Sequence, residues 1–210
     1  MENKIKVVGL GPGNLDYLTG AGLKAIKESE IVIGGKRHLE EIESLLNNQG
    51  KYTLGKLSDM IYFIDCNKNK KITIVVSGDT GYYSLLTYLR KNLSEEKLIT
   101  IPGISSFQYL FGRLNMTWEK FSLYSVHGRD CDYIEALKKS DRGIVLLTDG
   151  INNPITISEN LVKHNFKNIE VIVGERLSYE DEKITRFQVE NYREYIKEYE
   201  MNVTILKKGD

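Results

Sequence analysis

Cysteine, proline and tryptophan are scarce in this chain of 210 residues, which has two, three and one of them. Cys66 and Cys131 stand far apart, in neither CxxC nor metal-ligand spacing, so a disulfide framework is excluded and no protein-bound metal is expected. Neither sign of charge is in excess: 29 Lys and Arg balance 29 Asp and Glu. No global field therefore draws the protein to nucleic acid or to an anionic membrane, and an acidic ligand must meet a local basic patch. No apolar run approaches the ~20 residues of a membrane span, and the chain opens on Met1-Glu2-Asn3-Lys4 instead of a signal peptide. These absences lead us to expect a cytoplasmic protein with no membrane and no nucleic-acid partner.

What is present is a 41% hydrophobic content, enough for one large core or two modest ones. Short β-branched runs alternate with helix-period segments: a strand at 5–8, a helix at 18–29, a strand at 31–33 and a helix at 36–46 with Leu39, Ile42, Leu45 and Leu46 on one face. Ile72-Thr73-Ile74-Val75-Val76 reads as a strand buried on both faces of a parallel sheet, followed by a helix at 82–93 and a strand at 98–101. A helix at 105–114 precedes a polar connection, after which strands are expected at 121–126, 143–147, 169–173, 184–188 and 203–206. The last three have only one helix-like run among them, at 192–200, which points to hairpin pairing and a mixed sheet. The expectation is an α/β protein of two domains, 1–115 with a mostly parallel sheet and 116–210 with a mixed one, and a cleft between them.

Four loops follow strand candidates, where ligands gather in open α/β sheets. In Gly9-Leu10-Gly11-Pro12-Gly13-Asn14, three glycines in five residues permit positive φ and close approach of a ligand to the backbone; a tight turn with no ligand remains the alternative. A dinucleotide fold competes, but Pro12 lacks an N–H for a pyrophosphate and Asn14 stands where a third glycine would be wanted. In Ser77-Gly78-Asp79-Thr80-Gly81-Tyr82-Tyr83-Ser84, Asp79 can accept hydrogen bonds from hydroxyls or an amine, or cap a helix, and Tyr82 or Tyr83 can pack on a flat or cationic group. Ser105 and Ser106 of Pro102-Gly103-Ile104-Ser105-Ser106 share the choice between cap and contact. His127 and Arg129, in Val126-His127-Gly128-Arg129-Asp130, suit carboxylates. His38 and His164 sit on helical segments as structural or exposed residues.

In this order the loops resemble those of the tetrapyrrole methylase family. Gly9-Leu10-Gly11-Pro12-Gly13 resembles its opening loop, the segment around Gly78-Asp79 its second loop, with Thr80 where the family has proline, and Pro102-Gly103-Ile104-Ser105-Ser106 its third. Gly34-Gly35-Lys36-Arg37, Ser125-Val126-His127-Gly128-Arg129 and Val173-Gly174-Glu175-Arg176-Leu177 are similar to the corrin-pathway branch that methylates carbon 5 of a cobalt-precorrin. The resemblance implies S-adenosylmethionine (SAM) in the interdomain cleft, held by Leu10, Gly11, Pro12, Gly78, Asp79, Tyr82, Ser105, Ser106, Leu147 and Val203. It also implies a homodimer and a cobalt-precorrin substrate.

A substrate rich in carboxylates would meet Lys36, Arg37, Arg113, His127, Arg129 and Arg176. Methyl transfer from a sulfonium to an electron-rich carbon needs alignment more than a nucleophilic residue, and His127 is the candidate for taking up the departing proton. The alternatives are a family member acting at another ring carbon or on another acceptor, and a non-catalytic SAM-binding regulator. The stand-alone chain suits the cobalt-early route by analogy.

Overall fold

The computed structural model describes residues 4–209, so most of the charged opening segment, Met1 to Asn3, lies outside the described residues. The chain divides into two compact units, Met1–Ser105 and Ser106–Asp210.

The first unit runs β1 (Ile5–Gly9), α1 (Gly20–Lys27), β2 (Ile31–Gly34), α2 (Lys36–Glu41), β3 (Gly50–Thr53), α3 (Leu57–Cys66), β4 (Ile72–Val76), α4 (Leu86–Asn92) and β5 (Leu98–Ile101). All five strands are parallel, in the order β3-β2-β4-β1-β5. Strand alternation divides the apolar residues between two faces. Ile5, Val7, Ile31, Ile33, Ile72 and Ile74 pack with Met60 and Ile64 of α3 and Leu89 of α4. Val8, Val32 and Val75 pack with Ala25 and Ile26 of α1 and Leu39 of α2. Each such aliphatic side chain contributes ~1.5–3 kcal/mol when fully buried, which is why β4 reads as a nearly unbroken apolar run. Its one hydroxyl, Thr73, is buried but donates to the Ala25 carbonyl at 3.2 Å.

The second unit runs α5 (Ser106–Arg113), β6 (Phe121–Ser125), α6 (Tyr133–Lys139), β7 (Gly143–Leu147), α7 (Pro154–Lys163), β8 (Ile169–Glu175), β9 (Lys183–Gln188) and β10 (Asn202–Lys208). Its sheet has the order β6-β7-β10-β8-β9, with β6 and β7 parallel and the other pairs antiparallel. Leu137 of α6 and Ile157 and Leu161 of α7 pack on Ile144, Leu146, Val171, Val173 and Leu206 of the sheet.

The boundary falls at 105/106, ten residues before the expected 115/116, because α5 belongs to the second sheet. It packs against β10, Leu110 lies so near Gly174 that a Cβ there would come within 2.9 Å of it, and Arg113 pairs with Glu182 at 2.8 Å. Three expected helices also change, and the one at 36–46 ends at Glu41, with a 3₁₀ turn, Glu43–Leu45, after it. The run at 192–200 is not an α-helix; 3₁₀ turns end at Tyr195, Ile196 is extended, and Lys197 reaches the buried Glu175 at 2.5 Å. The helix expected from 82 begins only at Leu86, because Tyr83 takes the left-handed conformation with φ 50°.

Candidate functional site

Parallel pairing puts the carboxyl ends of β4, β1 and β5 side by side, so the three loops of the first unit meet along one sheet edge. They are bonded to one another there. The Gly78 N–H donates to the Gly11 carbonyl at 2.8 Å and the Gly11 N–H to the Gly78 carbonyl at 3.1 Å, with both glycines at positive φ, 63° and 89°. The chains cross closely enough that a Cβ on Gly9 would lie 2.5 Å, and one on Gly103 2.2 Å, from the Gly78 oxygen. Asp79 does not cap a helix. Its Oδ1 accepts from the Gly81 N–H at 2.7 Å and its Oδ2 from the Gly103 N–H at 3.2 Å, which stitches the second loop to the third. A carboxylate oxygen has two acceptor positions, so both retain capacity for a ligand.

The other expected contacts of this unit divide by burial. The Leu10 side chain belongs to the core, and its N–H donates to the Val76 carbonyl at 2.9 Å. Pro12 is buried. Asn14, in the place of a third glycine, accepts from the Asp16 N–H at 2.9 Å and starts a 3₁₀ turn, Leu15–Tyr17, that separates this loop from α1. No helix N-terminus follows the glycines directly, a further departure from a dinucleotide loop. Tyr82 is half-buried with its ring edge-on to Tyr83, centroids 4.8 Å apart. Ser105 is buried and Ser106 half-buried.

In the second unit β6, β7 and β8 run the same way, so Ser125, Leu147 and Glu175 end at one edge, where β10 begins. Leu147 and Val203, named from opposite ends of the domain, are direct partners across β7 and β10. His127 places Nδ1 2.9 Å from the Thr148 carbonyl oxygen. A carbonyl only accepts, so Nδ1 carries the proton and Nε2 of the neutral ring keeps a lone pair. Gly128, at φ 61°, donates its N–H to Asp149 Oδ2 at 2.8 Å. Beside this loop Val126, Arg129, Asp132, Tyr133 and Asn152 line part of an open hollow of about 390 Å³. A larger hollow of about 680 Å³, lined by Glu30, Asn47 and Lys51, lies at the amino edge of the first sheet, away from these loops.

Most of the expected substrate cations already face acids. Lys36 and Arg37, in the first turn of α2, lie 3.9 Å from Glu40 and 3.7 Å from Glu41. Arg113 is paired with Glu182. Arg176 lies 2.5 Å from Asp181 and 3.3 Å from Glu200, with its guanidinium over the Tyr179 ring. Arg129 Nε reaches back to the His127 carbonyl at 3.3 Å. Sequence reasoning passed over Asp149, although it stands directly after the Leu147-Thr148 pair at the end of β7.

His38 is structural. Arg37 donates to its Nε2 at 3.1 Å, and its Nδ1 is buried without a hydrogen-bond partner. Burial, reinforced by the Arg37 charge, pushes the imidazole down to about 4 from 6.5. Unfolded chains thus bind a proton near pH 6.5 that the folded protein refuses until about 4, so this contribution to stability is present above pH 6.5 and is lost as pH falls toward 4. Between pH 7 and 5 the loss is about 2 kcal/mol. Urea unfolding at the two pH values should show it in the wild type and not in His38→Gln; equal pH dependence in both would refute it.

The residues 4–192 match the model of the Tetrapyrrole (Corrin/Porphyrin) Methylases, and the chain belongs to that family of methyltransferases. It is 31% identical over 203 residues to the cobalt-precorrin-7 C(5)-methyltransferase of Salmonella typhimurium, covering 96% of this chain and 98% of that protein. The crystal structure of the precorrin-6Y methylase of cobalamin biosynthesis from Archaeoglobus fulgidus shares the fold, with TM-score 0.75 and 20% identity over 99% of this chain and 98% of that one. So does the uroporphyrin-III C-methyltransferase of Thermus thermophilus complexed with S-adenyl homocysteine, with TM-score 0.77 and 18% identity over 97% and 92%.

Proposed function

We propose that this chain transfers a methyl group from SAM to carbon 5 of cobalt-precorrin-7 in cobalamin biosynthesis. The observation that carries the reading is the joining of three glycine loops at one sheet edge, with Asp79 bonded across two of them. That donor set fits SAM. Asp79 can accept from hydroxyls or an ammonium, Ser105 and Ser106 add hydroxyls, and Tyr82 adds an aromatic face for a cation. A loop containing Pro12 and lacking a helix N-terminus behind it suits a ligand without phosphate. Leu10, Gly11, Pro12 and Gly78 supply backbone around it, whereas Leu147 and Val203, cross-strand partners in the second unit, are cofactor contacts on the family resemblance alone.

SAM supplies an electrophilic methyl on sulfur, so the chain's residues need to align the acceptor and remove a proton. Arg129 and His127 are assigned to the substrate's carboxylates, with Lys36, Arg37, Arg113 and Arg176 able to exchange their present acids for them. His127 Nε2 is assigned the proton that leaves the methylated carbon. Balanced charge supports an enzyme without a nucleic-acid partner, and a cytoplasmic location and a homodimer are part of the reading.

Purified protein incubated with labelled SAM and cobalt-precorrin-7 should yield one added methyl, placed on carbon 5 by mass spectrometry and NMR. A methyl at another ring carbon would move the chain to another reaction of the family. Tight SAM binding with no transfer would leave a different acceptor or a regulator.

A further inference from the structure

His127 is exposed at the end of a strand, where an imidazole ordinarily rotates freely, yet the chain around it is clamped. Val126 N–H donates to the Leu147 carbonyl at 2.9 Å, and His127 N–H to Ser125 Oγ at 3.3 Å. Asp149 accepts the Gly128 N–H on Oδ2 and the N–H groups of Ile151 and Asn152 on Oδ1, at 2.9 and 2.7 Å. Asn152 Nδ2 then returns to the Val126 carbonyl at 3.1 Å, closing a ring of bonds on both sides of His127. Thr148, whose carbonyl receives the imidazole, is itself held by its buried hydroxyl, which donates to the Asn202 carbonyl at 3.0 Å.

We propose that Asp149 is a positioning residue for His127: it holds the 126–128 and 148–152 segments in the register that keeps Nδ1–H on the Thr148 carbonyl and leaves Nε2 as the proton acceptor. This rests on the reading of the protein as a carbon methyltransferase. The carbon's electron pair forms the C–CH₃ bond as the S–CH₃ bond breaks onto sulfur. The C–H pair then returns to the conjugated ring while Nε2 takes the proton and passes it to water. Only the Nδ1–H tautomer can do this, because an imidazole with its proton on Nε2 presents a donor where an acceptor is needed. The backbone N–H of Gly128, followed by that of Asn152, holds the Asp149 carboxyl below the usual carboxylate range, in keeping with an acceptor that stays ionised.

The test uses full-length protein with ¹⁵N-labelled histidine, in which the ring nitrogens of His127 report its tautomer directly. Wild type should show Nδ1–H alone. Asp149→Ala should show a mixture with Nε2–H, together with a kcat lower by on the order of tenfold and an unchanged KM for SAM. Asp149→Asn keeps one carbonyl oxygen for the 149–152 turn while losing the Gly128 acceptor, so it should fold as wild type and still lose the pure tautomer. An unchanged tautomer in both variants would overturn the proposal, as would a changed tautomer with unchanged kcat. If wild type transfers no methyl to cobalt-precorrin-7 but its tautomer depends on Asp149, the clamp stands and the acceptor assignment alone fails.

Discussion

Gly103→Ala is expected to destabilise the first unit by about 3 kcal/mol or more and to remove SAM binding with it. The added Cβ would sit 2.2 Å from the Gly78 oxygen and 2.6 Å from the Gly9 oxygen. Both are backbone atoms, so no rotamer change relieves the overlap, and the loops after β1, β4 and β5 have to separate. Separation breaks the Asp79 to Gly103 bond and opens the Gly11 to Gly78 pair, on which the site depends. Gly9→Ala should act alike, with its Cβ 2.5 Å from the same oxygen. Gly20→Ala is the control: nothing lies within 4 Å of its Cβ position at the start of α1, and alanine there should be neutral or stabilise by up to ~1 kcal/mol. Thermal unfolding and calorimetric titration with SAM check the set. Wild-type melting and wild-type SAM affinity in Gly103→Ala would mean that the close crossing is not what holds the loops.

The loops were legible because each is a local signal, glycines and small polar residues directly after an apolar run, and the strands before the first two are buried over most or all of their length. β4 is the clearest case, all five residues being buried. β3 was not read, because Gly50-Lys51-Tyr52-Thr53 is an edge strand with almost no buried residue and so leaves no hydrophobic pattern. Helices α6 and α7 were passed over although their starts are written in the chain. Asp132 accepts from the Glu135 N–H, and Asn153 caps α7 with Pro154 in its first turn. Strand order is beyond a local reading: β1 lies between β4 and β5, and their runs do not name their partners. The same holds within the site. A carboxylate between glycines suggested a ligand contact, but that its second oxygen serves Gly103 depends on the crossing of two loops. Arg113 and Arg176 read as available cations because a sequence does not show that Glu182, Asp181 and Glu200 fold against them.

Asp79→Ala should separate the cofactor contact from the fold. The carboxylate is half-buried and water can reach the site, so the Gly81 and Gly103 N–H groups freed by its removal are not stranded, and unfolding should shift by no more than ~1 kcal/mol. The effect on the ligand is much larger. A hydrogen bond to a charged group is worth ~1.5–3 kcal/mol, and tenfold in affinity is about 1.4 kcal/mol, so removing the ligand's bonds together with the brace to the third loop should cost roughly a hundredfold in SAM affinity. Asp79→Asn retains one carbonyl oxygen but turns an amide toward a backbone N–H, so about tenfold is expected. Calorimetric titration beside a melting curve reads both quantities. Weakened affinity with retained melting would place the carboxylate against the cofactor, in contrast to Gly103→Ala, where both fall together. Wild-type SAM affinity in Asp79→Ala would move the cofactor away from this edge of the sheet, and the assignments of Tyr82, Ser105 and Ser106 would go with it.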